Sequence, residues 1–81
     1  MENVDKQHIY ELYETMLDLC EERGLTGEEL IIVGAMTDDK KTIEYYGEEE
    51  ALQLAIEAIK PCRNSDEVFF VIEKLFAFDD I

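Results

Sequence analysis

Apolar residues recur at three- and four-residue steps early in the chain: Ile9, Leu12, Tyr13, Met16, Leu19 and Cys20. That spacing puts them on one side of a helix and predicts an amphipathic helix over residues 4–23. Asn3 or Asp5 can cap its start. Gly24 can end it in the left-handed conformation, with Arg23 in the last turn. The pattern then changes. After the breakers Thr26 and Gly27, residues 30–36 form an unbroken, β-branched apolar run. It does not alternate, so it predicts a strand covered on both faces. Residues 37–41 are a polar turn, and residues 42–46 the returning strand of a hairpin that Gly47 closes. Helical spacing resumes with Leu52, Ala55, Ile56 and Ile59, and Pro61 stops that helix. Ser65 is a good N-cap for a last helix, whose apolar face is Val68, Phe69, Ile72, Leu75 and Phe76. Asp66 and Glu67 suit its first turn, Phe70 points off the apolar face, and residues 78–81 read as a frayed end.

These elements predict a single α+β domain over residues 1–81, in the order helix, β-hairpin, helix, helix, with the helices packed on a short antiparallel sheet. A two-stranded sheet is marginal alone. Helices must cover it, and its edges are open to a second copy. A monomer and a homodimer sharing the sheet both fit the pattern. The chain is 47% hydrophobic, with four Tyr and four Phe. It can therefore bury a core, which excludes a disordered acidic tail.

Charge changes the picture more than composition does. Asp and Glu number 21 against seven Lys and Arg, a formal net charge of -14. Such an excess repels itself and weakens the compact state. It also repels anionic membranes and nucleic acid, so neither is expected as a direct partner. Residues 1–6 are polar with no apolar signal core, and the longest apolar run is too short to cross a bilayer. The expectation is a cytoplasmic protein.

Little in the sequence points to chemistry. Cys20 and Cys62 have no CxxC spacing and no neighbouring histidine, and the lone His8 is distant. A structural zinc site takes four such ligands. No metal is expected, and the cysteines read as small, reduced, apolar residues, with a disulfide left open. Asp38, Asp39 and Glu44 invite a calcium loop. Counted from Asp38, however, Ile43 holds the place where an EF-hand needs glycine, and Lys40 and Lys41 fall inside the cage. A plain hairpin turn accounts for them better. Glu48, Glu49 and Glu50 are adjacent carboxylates without a second, differently tuned group. Ser65 reads as a cap, and the glycines form no phosphate loop. His8 has no evident partner. No catalytic residue and no cofactor is expected, so the chain does not read as an enzyme.

The acids themselves are the informative feature. The polar face of the first helix carries Glu11, Glu14, Asp18, Glu21 and Glu22 with no lysine among them. Like charges at these spacings cost a few tenths of a kcal/mol per pair. Carboxylates one turn apart, about 5.4 Å along the axis, are spaced comparably to phosphates along a strand. Glu48, Glu49 and Glu50, which suit the positive end of a helix, extend the row together with Asp38 and Asp39. In Tyr45-Tyr46-Gly47-Glu48, strand alternation makes one tyrosine core and the other exposed. An exposed tyrosine rimmed by acids resembles an interface anchor, and we place Tyr46 in the candidate set. The charge has three readings: solubility alone, a surface for a basic partner, or a mimic of nucleic acid that occupies a protein's DNA or RNA channel.

In composition and predicted element order, the whole chain resembles the small, strongly acidic phage and mobile-element inhibitors of host defence nucleases, which include anti-restriction and anti-CRISPR proteins. The resemblance implies short hairpins combined with helices and a non-enzymatic inhibitor that engages a nucleic-acid-binding protein in the host cytoplasm. It rests on no motif, so no functional residue is carried over from it. The alternative is a homodimerising scaffold or housekeeping domain whose charge serves only solubility.

Overall fold

The computed structural model describes residues 6–76. They form five helices: α1 (Lys6–Glu22), α2 (Glu28–Thr37), α3 (Lys40–Tyr46), α4 (Glu48–Ile59) and α5 (Ser65–Phe76). No strand occurs among the described residues, which overturns the predicted α+β fold and its antiparallel sheet. Three helices, α1, α4 and α5, fall where the periodicity puts them. The expected hairpin is instead the helix pair α2 and α3. The predicted start of the first helix, with Asn3 or Asp5 as its cap, and the frayed end at 78–81 lie outside the described residues.

The physical reason for the error is local. A short apolar run without alternation fits a doubly covered strand and a helix equally well. The flanks decide between them. Glu28 and Glu29 occupy the first turn of α2, where acids suit the positive helix end. The amide of Thr26, the residue before the Gly27 N-cap, donates to the Glu29 carboxylate at 3.3 Å and holds the chain against the first turn. Residues 37–41 are likewise not a hairpin turn but the joint between two helices. Asp39 caps α3 by accepting from the Lys41 amide at 3.0 Å. Thr37 and Thr42 are buried there, and both hydroxyls donate to carbonyls, of Val33 at 2.9 Å and Met36 at 3.0 Å. Gly47 ends α3 and starts α4 at φ 94°, a backbone conformation that other residues rarely adopt.

The core collects Met16 and Cys20 from α1, Leu25 from the loop, Val33 from α2, Ile56 and Ile59 from α4, and Val68, Ile72 and Phe76 from α5. Helix α1 lies along α4, and α2 packs on α5. Gly34 is a packing device. A Cβ at that position would collide with the Tyr13 hydroxyl of α1, and the ring carbon behind the hydroxyl lies 3.3 Å away. Alanine is the better helix former by about 1 kcal/mol, but overpacking costs about 1–3 kcal/mol. Gly34→Ala is therefore expected to lower stability by about 1 kcal/mol. Adding Tyr13→Phe, which removes the colliding oxygen, should recover part of that loss in urea denaturation. A stabilised Gly34→Ala protein would contradict this packing.

The ends of α1 and α4 are tied by one side chain. The Arg23 guanidinium donates through Nε to the Cys62 carbonyl at 2.6 Å and through a terminal nitrogen to the Lys60 carbonyl at 2.8 Å. The last carbonyls of a helix have no partner within it and carry partial negative charge. A cation from just past the end of α1 thus closes the end of α4.

Candidate acidic surface

Helix formation sorts α1 cleanly. At about 100° per residue, Met16 and Cys20 point to the core while Glu11, Glu14, Asp18, Glu21 and Glu22 share the opposite side, and all five are exposed. Of these, Glu22 pairs with Arg23 at 3.3 Å, and Glu11 accepts from the Gln7 amide at 3.3 Å. Glu14, Asp18 and Glu21 meet no cation within ion-pair distance among the described residues. The stripe predicted from the spacing is thus a continuous, largely uncompensated row.

The packing of α4 on α1 joins the second acidic cluster to this row. Glu48, Glu49 and Glu50 are exposed in the first turn of α4. Glu49 meets His8 of α1, with Oε2 and Nε2 3.1 Å apart, and also accepts from Gln53 at 3.3 Å. His8, for which the sequence offers no evident partner, therefore ties the cluster to α1, the helix that carries the stripe. Glu48 lies elsewhere, beside Asp38 on the rim of a groove of about 540 Å³ whose apolar wall includes Ile9, Tyr10, Tyr13, Ile43 and Leu52. Asp38 and Asp39 are both exposed, but Asp39 is committed to capping α3.

The tyrosine pair is placed differently from the strand reading. In a helix, neighbours are not on opposite faces. Tyr46 is half-buried, its hydroxyl donating to the Leu75 carbonyl at 3.3 Å and its ring edge-on to Phe76 at 5.8 Å. Tyr45 is the exposed one, at 73%. Sequence reasoning also missed Ile31 and Ile32, which α2 leaves in solvent. A signal for them existed: residues 30–37 carry no charge in a chain that is 35% charged. Phe70 is exposed, as expected, with the Lys74 ammonium 5.0 Å from its ring centre.

The cysteines are free and buried. Burial, reinforced by the neighbouring Cys62, pushes the Cys20 thiol from its ordinary value near 9.0 up to about 11. Burial and the Glu67 carboxylate also raise Cys62, with Arg23 opposing them. Both thiols are held in the protonated, poorly nucleophilic form. A folded value above the unfolded one means that the unfolded chain loses its proton first. The contribution is intact below pH 9.0 and is lost as the pH climbs toward 11. Stability should fall over that window, and the fall should be shallower in Cys20→Ala, as equilibrium urea unfolding at a series of pH values would show. Among the described residues, no three of His, Cys, Asp and Glu group as a metal site would require. No helix among them is long and apolar enough to cross a membrane.

No protein-family model, curated protein or solved structure matches the chain. The element order behind the resemblance to anti-defence inhibitors included a hairpin that the described residues do not form, so its support now comes from composition alone.

Proposed function

We propose that this chain is a non-enzymatic binding protein that engages a basic surface of a nucleic-acid-binding protein, its carboxylates standing where phosphates would. The observation that carries this reading is the one-sided α1 row of five exposed acids, joined through His8 and Glu49 to the start of α4. A solubility role needs charge but not its alignment. Aligned acids at i, i+3 and i+4 spacing repel along the helix and lower stability, whereas complementary fields speed association and set specificity. An inhibitor of a host defence nuclease, of the kind that the composition resembles, is one protein of this class.

The reading is tested by immobilising the chain and passing lysate over it at low salt. It expects retention of nucleic-acid-binding proteins that elute as salt rises, because screening shortens the reach of surface charge to about 8 Å at physiological ionic strength. Retention of no such protein, or elution insensitive to salt, would overturn it.

A further inference from the structure

The acidic surface makes no use of the chain's two cysteines. Both lie in the one core cluster, Cys20 near the end of α1 and Cys62 in the loop after α4. A single residue links them. The Arg23 amide donates to the Cys20 carbonyl at 3.0 Å, and the Arg23 guanidinium donates to the Cys62 carbonyl at 2.6 Å. The sulfurs are electrostatic neighbours as well, since charge on Cys62 adds to the rise of the Cys20 thiol. Little would be lost on joining them. Cys62 Sγ donates to the Ala58 carbonyl at 3.4 Å, a weak bond, and the Cys20 thiol donates to no acceptor among the described residues. The two differ in access. Cys20 is fully enclosed, whereas Cys62 lines a shallow surface hollow of about 400 Å³ with Pro61, Phe70 and Val71 as apolar walls. One thiol can meet a reagent from solvent, and the other can be reached only from within. That is the arrangement of an attacking and a resolving cysteine.

We infer that Cys20 and Cys62 form an oxidisable dithiol: a small disulfide such as oxidised glutathione enters the hollow beside Cys62, and the product is an internal Cys20–Cys62 disulfide. The Cys62 thiolate attacks one sulfur of the reagent. A mixed disulfide forms, and the departing glutathione thiolate takes up the proton that Cys62 lost. Cys20 then loses its proton and attacks the Cys62 sulfur, and the second glutathione thiolate leaves and is protonated in turn. Two protein thiols are oxidised, and one reagent disulfide is reduced to two thiols. The bridge ties the end of α1, where the acidic row finishes, to the loop between α4 and α5. Cross-linking so long a loop acts chiefly on the unfolded chain, whose entropy it lowers. The raised thiols set the tempo. Exchange needs a thiolate, so the bridge forms slowly at neutral pH. A thiol that holds its proton tightly is also a poor leaving group, so the bridge is slow to be reduced once made. This device stands apart from the basic-partner reading.

The test exposes the folded, reduced chain to excess oxidised glutathione at pH 8 and at pH 9, quenches with acid and follows the intact mass. The chain should become lighter by two hydrogens and retain no glutathione, and proteolysis should yield the Cys20 and Cys62 peptides joined. The rate should rise about tenfold between the two pH values, as the thiolate fraction does below a thiol's pKa. Tm of the oxidised chain should exceed that of the reduced chain by at least about 10 °C. In Cys20→Ala the glutathione adduct on Cys62 should accumulate instead; if that variant does not fold, the mass of the unaltered chain decides alone. An unaltered chain that stays reduced while folded, keeps glutathione on Cys62, or closes the bridge only in urea would overturn the inference. Disulfide-linked dimers in place of the internal bridge, or a lower Tm after oxidation, would overturn it too.

Discussion

Arg23→Ala is expected to be the most damaging single change outside the apolar core. It removes charge-assisted bonds to the Cys62 and Lys60 carbonyls, each typically worth about 1.5–3 kcal/mol. It also leaves the end of α4 without its cation. Because the side chain is partly exposed and water can replace it in part, a loss of about 2 kcal/mol is expected, or roughly 8–16 °C in Tm for a domain of this size. Arg23→Lys should recover only some of this, since an ammonium lacks the planar fork that reaches two carbonyls together. Arg63→Ala is the control. It makes the same change in net charge at an exposed position whose amide, not its side chain, bonds Glu67. Differential scanning calorimetry of the three variants checks the prediction. If Arg63→Ala lowers Tm as much as Arg23→Ala, the loss is one of net charge and the capping account is wrong.

The second large effect concerns binding and moves stability the other way. Converting Glu11, Glu14 and Asp18 to Gln, Gln and Asn removes three charges from the exposed row. At about 0.5 kcal/mol for each exposed pair lost, affinity for a basic partner should fall about tenfold at low salt. The same change relieves repulsion at the 11–14 and 14–18 spacings, so Tm should rise by about 2–4 °C. The opposed signs are diagnostic. Charge carried for solubility alone would give the rise in Tm without the loss of affinity. Isothermal titration against a captured partner, beside a thermal scan, distinguishes the two.

What was legible in the sequence follows from where each signal comes from. The α1 row could be read directly, because it is the complement of an apolar face with unambiguous period, and the same holds for the apolar faces of α4 and α5. Helix α2 was not legible from periodicity, because Ile31, Ile32 and Val33 favour a strand by side-chain type while their surroundings favour a helix. The decisive features were small: Glu28 and Glu29 in a first turn, and Asp39 as a cap rather than a hairpin residue. Misreading α3 as a strand then exchanged the tyrosines, exposing Tyr46 in place of Tyr45. The contact of His8 with Glu49 joins residues 41 positions apart. Only the packing of α1 on α4 creates it, and no local pattern announces it. The apolar side of α2 lay hidden for the same reason as the helix itself, since a doubly covered strand has no exposed face.

The central claim is that the acidic row occupies the place of nucleic acid on a partner. Its most direct test is to mix a captured partner with a fluorescent DNA or RNA duplex and add the chain while following sedimentation of the label. The account predicts that the chain releases the duplex, and that Glu11→Gln/Glu14→Gln/Asp18→Asn must be added at about tenfold higher concentration to do the same. A stable three-component species, with the duplex and the chain bound together, would contradict it.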